Sequence, residues 1–494
     1  MTTAYQTLEA RAKQVSDIEG ALAILGWDAQ TMMPKGGSEA RGEQIATLAA
    51  MAHEIETAGD LPDLLDQAEA DAASLDDWQT ANLGRMRLSQ RRAAVLDPAL
   101  VSAMAKATNR AEMTWRDARA KADFSALLPD LEEVFRLTSE KASNLAQAFD
   151  LDPYDALLDS FETGLRRSGI DPIFDRLAGF LPDFLDKVLT VQKKPEPIEG
   201  PFPPAKQEAL GRKLMTTLGF DFDHGRLDES QHPFCGGLPD DVRITTRYDE
   251  AEVTSALMGV LHETGHALYE AGLPKAWRGQ PVGDSLGMAV HESQSLLIEM
   301  QVCRSQAFLR FLSPRLADAF GERAAFNPDN LYRDAIWVER GLIRVDADEV
   351  TYPLHIILRY RLEQALLEGD LALADLPGAW NDGMKDLLGI APENDALGCL
   401  QDIHWPGGAI GYFPCYTLGA IVAGQLFDAL RRAQPDLEDD IARGDFSGLV
   451  VWLRRHVHGR GSKVEMQTLL TDATGQALTL EPYLAHLERR YLTG

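Results

Sequence analysis

The sequence predicts a protein built almost entirely of α-helices, and three observations favour this fold class. Apolar residues make up 45% of the chain and charged residues 25%, which is typical of a globular protein. Five segments near the N-terminus are rich in Ala, Leu, Glu and Arg and repeat apolar residues at helical spacing. Only one segment, 241–248 (DVRITTRY), combines β-branched residues with flanking turn formers as a strand does.

The predicted helices occur in order along the first part of the chain. They are residues 9–25, 41–56, 78–95, 102–123 and 131–149. Pro153 and Pro172 punctuate further helices. Five prolines then fall within 192–207 (QKKPEPIEGPFPPAKQ), which we interpret as a connection. It would separate an N-terminal helical half, 1–191, from a second helical half, 207–494, within one continuous structural unit.

The charge of the chain limits its partners. The 494 residues include 48 Lys+Arg and 76 Asp+Glu, which gives a net charge of −28. Such acidity argues against binding to nucleic acid or to anionic membrane surfaces, because both need clustered Lys and Arg. The N-terminus lacks a basic cluster followed by an apolar stretch, so no signal peptide is expected. We therefore expect a cytoplasmic location.

Two further features agree with that location. The four cysteines are widely spaced and form no CxxC motif, so free thiols are expected. They are Cys235, Cys303, Cys399 and Cys415. The uncharged segment 405–427 is long enough to span a membrane, but its five glycines and two prolines would leave backbone groups unsatisfied in lipid. We interpret it as a buried loop that enters a helix.

The strongest motif is His-Glu-Thr-Gly-His at 262–266, inside the apolar, proline-free segment 253–269. A helix with this four-residue spacing puts both imidazoles on one face, a turn apart, where both can bind one ion. Glu263, between them, can then take a proton from metal-bound water. Two histidines and a glutamate on an apolar helix are costly to bury without such a partner. The motif therefore predicts a catalytic metal site with His262 and His266 as ligands.

Two histidines leave a tetrahedral zinc site one protein ligand short. The extended HExxHxxGxxH motif cannot supply it, because Gly272 stands where its third histidine would be. Glu292, in the next predicted helix (MAVHESQSLLIEM), is the best candidate, and its neighbour His291 is the alternative. Glu270 lies a turn further along the motif helix in a poor position, and Asp284 lies in a glycine-flanked loop.

Two arginines in apolar runs need acidic partners. Arg344 could form an ion pair with Asp346, Asp348 or Glu349, or it could hold a substrate carboxylate with its planar guanidinium. Arg243 is open to the same two interpretations, with the ion pair favoured.

The run from His404 to Tyr416 also carries polar groups. A tyrosine hydroxyl of Tyr412 or Tyr416 could donate to a tetrahedral oxyanion, although packing is the commoner use of tyrosine. A lone histidine such as His404 is more often a satisfied structural group.

Five segments in order together resemble the signatures of the M32 family of metallocarboxypeptidases, the thermostable carboxypeptidase Taq type. They are DVRIT (241–245), HETGH (262–266), HESQS (291–295), IRVDAD (343–348) and GCLQDIHW (398–405). The N-terminal WDAQTMMPKGG (27–37) is also similar, so the resemblance spans most of the chain.

The resemblance implies an all-helical, saddle-shaped metallopeptidase with a long groove, related to neurolysin-like oligopeptidases and angiotensin-converting enzyme. The N-terminal half would wall the groove and the second half would be catalytic. The family implies zinc, with cobalt often accepted, held by His262, His266 and Glu292, with Glu263 as general base. It further implies a homodimer that releases single C-terminal residues from peptides with broad specificity and handles proline poorly.

The same resemblance suggests roles for the remaining candidates. His404 and Tyr416 would act at the scissile carbonyl, and Arg344 would bind the substrate's terminal carboxylate. Arg243 and Tyr412 are further candidates for substrate contact. The alternative function is a zinc oligopeptidase that cleaves internal bonds by the same chemistry. A helical binding protein with a structural metal site is a rival from another class, but structural zinc usually has four protein ligands.

Overall fold

The computed structural model describes residues 2–230 and 233–492, and over these residues the fold is mainly helical. It has twenty α-helices and a single three-stranded sheet in this part of the chain, which confirms the predicted fold class. The helices that precede the sheet are α1 (Ala4–Thr31), α2 (Ser38–Glu56), α3 (Leu61–Ala70), α4 (Asp77–Val95), α5 (Pro98–Lys121), α6 (Phe124–Phe149), α7 (Pro153–Phe161), α8 (Arg167–Val191) and α9 (Pro204–Leu218).

The helices that follow the sheet carry the predicted site residues. They are α10 (Thr254–Gly272), α11 (Met288–Leu296), α12 (Gln306–Phe320), α13 (Pro328–Ala335), α14 (Tyr352–Glu368), α15 (Leu376–Leu388), α16 (Pro414–Ala433), α17 (Leu437–Arg443), α18 (Ser447–His456), α19 (Met466–Thr474) and α20 (Glu481–Leu492). A π-helical segment, Leu297–Cys303, continues directly from α11.

Local sequence explains where several helices begin. Thr3 and Gln6 form a reciprocal capping box at the start of α1, so two backbone N–H groups there have partners. The Asp97 carboxylate accepts from the backbone N–H of Ala99 at the start of α5. The five segments predicted as helices lie in α1, α2, α4, α5 and α6, although residues 122–123 of the fourth fall beyond the end of α5.

The sheet has three strands rather than one. They are β1 (Gly225–Glu229), β2 (Phe234–Leu238) and β3 (Asp241–Thr246). β3 is central: it pairs in parallel with β1, with Leu227 opposite Ile244, and antiparallel with β2, with Cys235 opposite Ile244. The predicted strand is β3, whereas β1 and β2 have too few β-branched residues to be predicted.

One face of the sheet supports the helix that carries the metal motif. Val242 and Ile244 of β3 form a buried apolar cluster with Val260 and Ala267 of α10. Because Val260 and Ala267 flank the motif on the same helix, this packing fixes α10 against the sheet.

The chain forms two compact units, each assembled from three segments. The first comprises Met1–Ala93, Pro195–Ala335 and Val422–Thr479. The second comprises Ala94–Lys194, Ile336–Ile421 and Leu480–Gly494. The chain passes from the second unit to the first within the proline-rich segment 192–207. Each unit nevertheless contains residues from both sides of that segment. The boundaries of the two units therefore do not coincide with those of the halves 1–191 and 207–494. Each unit is formed by packing between helices that are distant in sequence.

The uncharged segment 405–427 is a loop followed by α16. Among the helices of the described residues, none is long and apolar enough to cross a membrane. All four cysteines have free thiols.

Candidate metal centre and active site

The metal motif lies on α10, which is buried on most sides. Leu257, Leu261 and Leu268 are at most 4% exposed. The apolar residues drive this burial, so the polar residues of the motif are carried into the interior with them.

Gly265, the glycine of the motif, lets α11 approach α10 closely. A Cβ at this position would lie 2.5 Å from the carbonyl oxygen of Gln294 and 2.6 Å from Cα of Ser295. Both atoms belong to the backbone of α11, so a side chain here would push that helix away. The close approach brings Glu292 of α11 to the two histidines of α10.

The structure brings His262, His266 and Glu292 together. One ligand atom from each residue lies within 4.8 Å of the others. His266 Nε2 and Glu292 Oε2 are 3.4 Å apart. Among the residues that the structure describes, these three form the one group of histidine, cysteine or carboxylate side chains close enough together to hold a metal ion.

The competing candidates have other partners. His291 Nε2 lies 2.8 Å from Glu270 Oε1, and the His291 ring stacks on His266 with a centroid distance of 4.5 Å. Asp284 lies outside the cluster. Burial, and then the charge of Glu270, raises the pKa of Asp284 to about 7.

The charges around the histidines fit a cation. Burial alone would lower the pKa of His262, but its hydrogen bond to Glu299 and the charges of Glu292 and Glu263 raise it to about 10. A site that holds a proton so firmly has an excess of negative charge where a metal ion would sit. Burial lowers the pKa of His266 to about 4, which leaves a neutral imidazole able to bind metal. Two imidazoles and a carboxylate are also a donor set of catalytic zinc.

Glu299 is a residue that the sequence reasoning missed. Its Oε2 lies 2.9 Å from Nδ1 of His262, so Nε2 is the atom of that ring that could bind a metal ion. Its Oε1 accepts a hydrogen bond of 2.8 Å from Arg304. Glu299 lies in the π-helical segment Leu297–Cys303. The sequence did contain one indication of its role: Glu299 is an acidic residue in the apolar run SLLIEM, seven positions after Glu292.

Glu263 is buried, with 8% of its surface exposed. Burial is the main reason that its pKa is raised to about 7, and the charge of His262 opposes the shift. A carboxylate with a pKa near neutrality can both accept and return a proton at neutral pH.

A second group of predicted residues lies in the second unit and centres on Arg344, which is 6% exposed. Its Nε and Nη2 donate to Oδ1 of Asp402 at 2.9 and 2.7 Å, and its Nη1 donates to the Tyr352 hydroxyl at 2.9 Å. Arg359, fully buried, donates from Nε to Oδ2 of the same Asp402 at 2.7 Å. Sequence reasoning missed both Asp402 and Arg359.

The acidic partners considered for Arg344 from sequence, Asp346, Asp348 and Glu349, were wrong. Asp348 instead accepts hydrogen bonds from the backbone N–H groups of Glu339, Val350 and Thr351. Glu349 accepts from Arg490 and pairs with His486, both on α20.

His404, Tyr412 and Tyr416 lie together beside Arg344. His404 Nε2 is 3.0 Å from the Tyr416 hydroxyl, and the Tyr412 and Tyr416 ring centroids are 5.2 Å apart. The Arg344 guanidinium carbon lies 5.0 Å from the Tyr416 ring centroid. Burial lowers the pKa of His404 to about 4, so this imidazole is neutral at physiological pH.

Arg243 has structural partners. It forms a two-pronged ion pair with Asp241, with its Nε at 3.0 Å and Nη2 at 2.7 Å from the carboxylate oxygens. Its guanidinium carbon also lies 4.3 Å from the ring centroid of Trp27. These contacts favour the ion-pair interpretation and attach α1 to the sheet.

A helix-borne His-Glu-x-x-His motif with a carboxylate supplied by the next helix defines a metallopeptidase site of the HExxH class. The chain matches the family model described as Carboxypeptidase Taq (M32) metallopeptidase over residues 7–491. It therefore belongs to the M32 family and is a metallocarboxypeptidase, and the family implies a divalent metal.

Named relatives agree along the whole chain. The chain is 39% identical over 503 residues to thermostable carboxypeptidase 1 of Thermus thermophilus, covering 99% of this chain and 98% of the relative. Trypanosoma cruzi metallocarboxypeptidase 1 superposes with a TM-score of 0.97 at 42% identity, covering 99% of each chain. The M32 carboxypeptidase from Deinococcus radiodurans R1 superposes with a TM-score of 0.94 at 36% identity, covering 99% of this chain and 98% of that one.

Proposed function

We propose that this metallocarboxypeptidase is zinc-dependent and releases single C-terminal amino acids from peptides, with broad specificity and poor activity on proline. The observation that carries the proposal is the cluster of His262, His266 and Glu292, whose ligand atoms lie within 4.8 Å of one another beside the buried Glu263. These three residues would hold the zinc ion, and cobalt would be accepted in its place. When bound, the metal supplies a Lewis acid that polarises the scissile carbonyl and acidifies a water molecule.

Glu263 would be the general base. It takes a proton from the attacking water and later delivers that proton to the leaving amine. The burial that raises its pKa to about 7 supports this role, because the carboxyl can exist in either protonation state near neutral pH.

Tyr416 would donate a hydrogen bond to the oxyanion that forms at the scissile carbonyl. His404 orients it, because the neutral imidazole contacts the Tyr416 hydroxyl at 3.0 Å. Tyr412 packs against the Tyr416 ring and would line the substrate site.

Arg344 would bind the substrate's terminal carboxylate, which would make cleavage start from the C-terminus. Its guanidinium is held by Asp402 and is almost fully buried, so a bound carboxylate would meet a fixed, desolvated cation. Arg243 is a weaker candidate for substrate contact, since Asp241 and Trp27 already engage it.

The experiment is mass spectrometry of the products from an unmodified peptide and its C-terminally amidated twin, with and without a chelator. Stepwise loss of C-terminal residues from the free-acid peptide alone, abolished by the chelator and restored by zinc, is the expected result. Internal cleavage of both peptides would favour the alternative, an oligopeptidase. A chain that binds no zinc and turns over neither peptide would contradict the proposal.

A homodimer and a cytoplasmic location complete the proposal. The dimer follows the family resemblance, and the location follows the sequence composition. Sedimentation velocity of the purified protein tests the first, and fractionation of its native cells tests the second.

A further inference from the structure

Two buried arginines of the second unit share a single carboxylate. Asp402 accepts from Arg344 on Oδ1 and from Arg359 on Oδ2, and Nη2 of Arg359 also lies 2.5 Å from Oδ2. In the part of the chain that the structure describes, Asp402 is the only acidic partner of either guanidinium. Arg344 is 6% exposed and Arg359 is completely buried, so solvent screens neither charge effectively.

Glu363, a buried carboxyl one turn after Arg359 on α14, accepts hydrogen bonds from Tyr154, Trp405 and the backbone N–H of Gly411 rather than from either arginine. Burial raises its pKa to about 7, so at neutral pH it carries less than a full negative charge.

Burial lowers the pKa of His404 to about 4 and that of His355 to about 3, and the two arginines act in the same direction. Both imidazoles are therefore neutral at pH 7. The two cations, the Asp402 anion and the partly protonated Glu363 together leave a net positive charge in the interior of a chain whose total charge is −28. A buried charge of this kind is costly unless an anion completes it.

Without Arg359, the cluster would carry no excess positive charge. Asp402 would then pair with Arg344 alone, and one carboxylate would neutralise one guanidinium. The pair would remain, but its attraction for a further anion would fall.

We propose that Arg359 is a positioning residue for substrate recognition: by pairing with the second oxygen of Asp402, it leaves the positive charge of Arg344 available to the terminal carboxylate of the peptide. The inference rests on the proposed carboxylate-binding role of Arg344. Arg359 itself does not touch the substrate. A purely structural role is the competing explanation, since its Nη1 also donates to the His355 carbonyl oxygen and its guanidinium carbon lies 4.5 Å from the Trp380 ring centroid.

Three variants separate charge from structure. R359Q removes the charge but keeps an amide that can donate to Asp402, and R359K keeps the charge. R361Q is the matched control, because Arg361 lies on the same helix, α14, with 51% of its side chain exposed. Each variant is checked for folding by circular dichroism. With the zinc-loaded enzyme, kcat and KM are measured on the free-acid peptide, and the amidated twin is assayed as a competitive inhibitor.

We expect R359Q to raise KM for the free-acid peptide by about tenfold or more, as for a lost charge-assisted contact, with kcat within about twofold of wild type. The inhibition constant of the amidated twin should not change. R359K should stay within about threefold of wild type on both peptides, and R361Q should match wild type.

The outcomes distinguish this inference from the function on which it rests. A wild-type enzyme that treats both peptides alike contradicts the carboxylate-binding role of Arg344. A wild type that discriminates, together with a folded R359Q that discriminates equally well, overturns the inference about Arg359. A folded R359K that loses discrimination overturns it too, because the charge is still present. A fall in kcat on the free-acid peptide, with KM and the inhibition constant of the amidated twin changed to the same degree, overturns the inference and shows a structural role instead.

Discussion

Replacing Glu299 with glutamine should weaken metal binding although Glu299 is not a ligand. Its carboxylate lies 2.9 Å from Nδ1 of His262 and 2.8 Å from Arg304, so it fixes the ring that presents Nε2 to the metal. Removing such a carboxylate from a metal-binding histidine typically costs 10- to 100-fold in affinity, or about 1.4 to 2.8 kcal/mol. We expect the upper part of this range, because Arg304 also loses the carboxylate to which its Nη2 donates.

The assay is equilibrium competition for zinc between the protein and a chromophoric chelator at pH 7.5. D221N is the matched control, because Asp221 lies 2.9 Å from the ring of His224, an exposed histidine outside the metal cluster. D221N should bind zinc as wild type does. A folded E299Q with a zinc Kd within about twofold of wild type would refute the reasoning.

Three further predictions concern the proposed general base Glu263, the contact between α10 and α11, and the stability of the fold at acid pH. Glu263→Gln should retain zinc and lower kcat by about a thousandfold, as for a lost general base; near wild-type turnover by a zinc-loaded variant would contradict this assignment. Gly265→Ala places a methyl group 2.5 Å from the Gln294 carbonyl oxygen and should cost about 1–3 kcal/mol in urea unfolding and weaken zinc binding. Gly259→Ala, on the same helix with no atom within 4 Å of the added Cβ, is its control and should stabilise slightly; equal effects of the two would oppose the close-contact argument. His355 is neutral in the folded protein, with a pKa lowered to about 3 mainly by burial, whereas an unfolded chain protonates it below about pH 6.5. Its contribution to stability is therefore complete above pH 6.5 and falls by about 1.4 kcal/mol per pH unit between about pH 6 and 4. Urea unfolding at pH 7 and 5 should show a smaller loss for H355N than for wild type, and an unchanged loss would exclude His355 as a source.

The helical fold was predictable because its signal is local. Segments such as 78–95 repeat apolar residues at the period of the helix they form, α4 (Asp77–Val95). β1 and β2 could not be predicted in this way. β2 reads Phe-Cys-Gly-Gly-Leu, and its conformation depends on pairing with β3, which is a tertiary contact.

The metal cluster was predictable for a similar reason. His262, Glu263 and His266 are fixed relative to one another by a single helix, and Glu292 follows in the next helix. Glu299 was harder to foresee, since its partner His262 lies 37 positions away and the pairing depends on how two helical segments pack.

The arginine cluster shows where sequence reasoning stops. An arginine in an apolar run shows only that a carboxylate partner is needed, and the nearest acidic residues along the chain are natural first choices. Asp402 lies 58 positions from Arg344, and 43 positions from Arg359, which no local pattern marks. The net charge of a buried site depends on all the ionisable groups that meet there, so it can be counted only when the positions of all of them are known. The surplus positive charge at Arg344 is thus a property of the tertiary structure, and the response of KM to the charge at position 359 tests it directly.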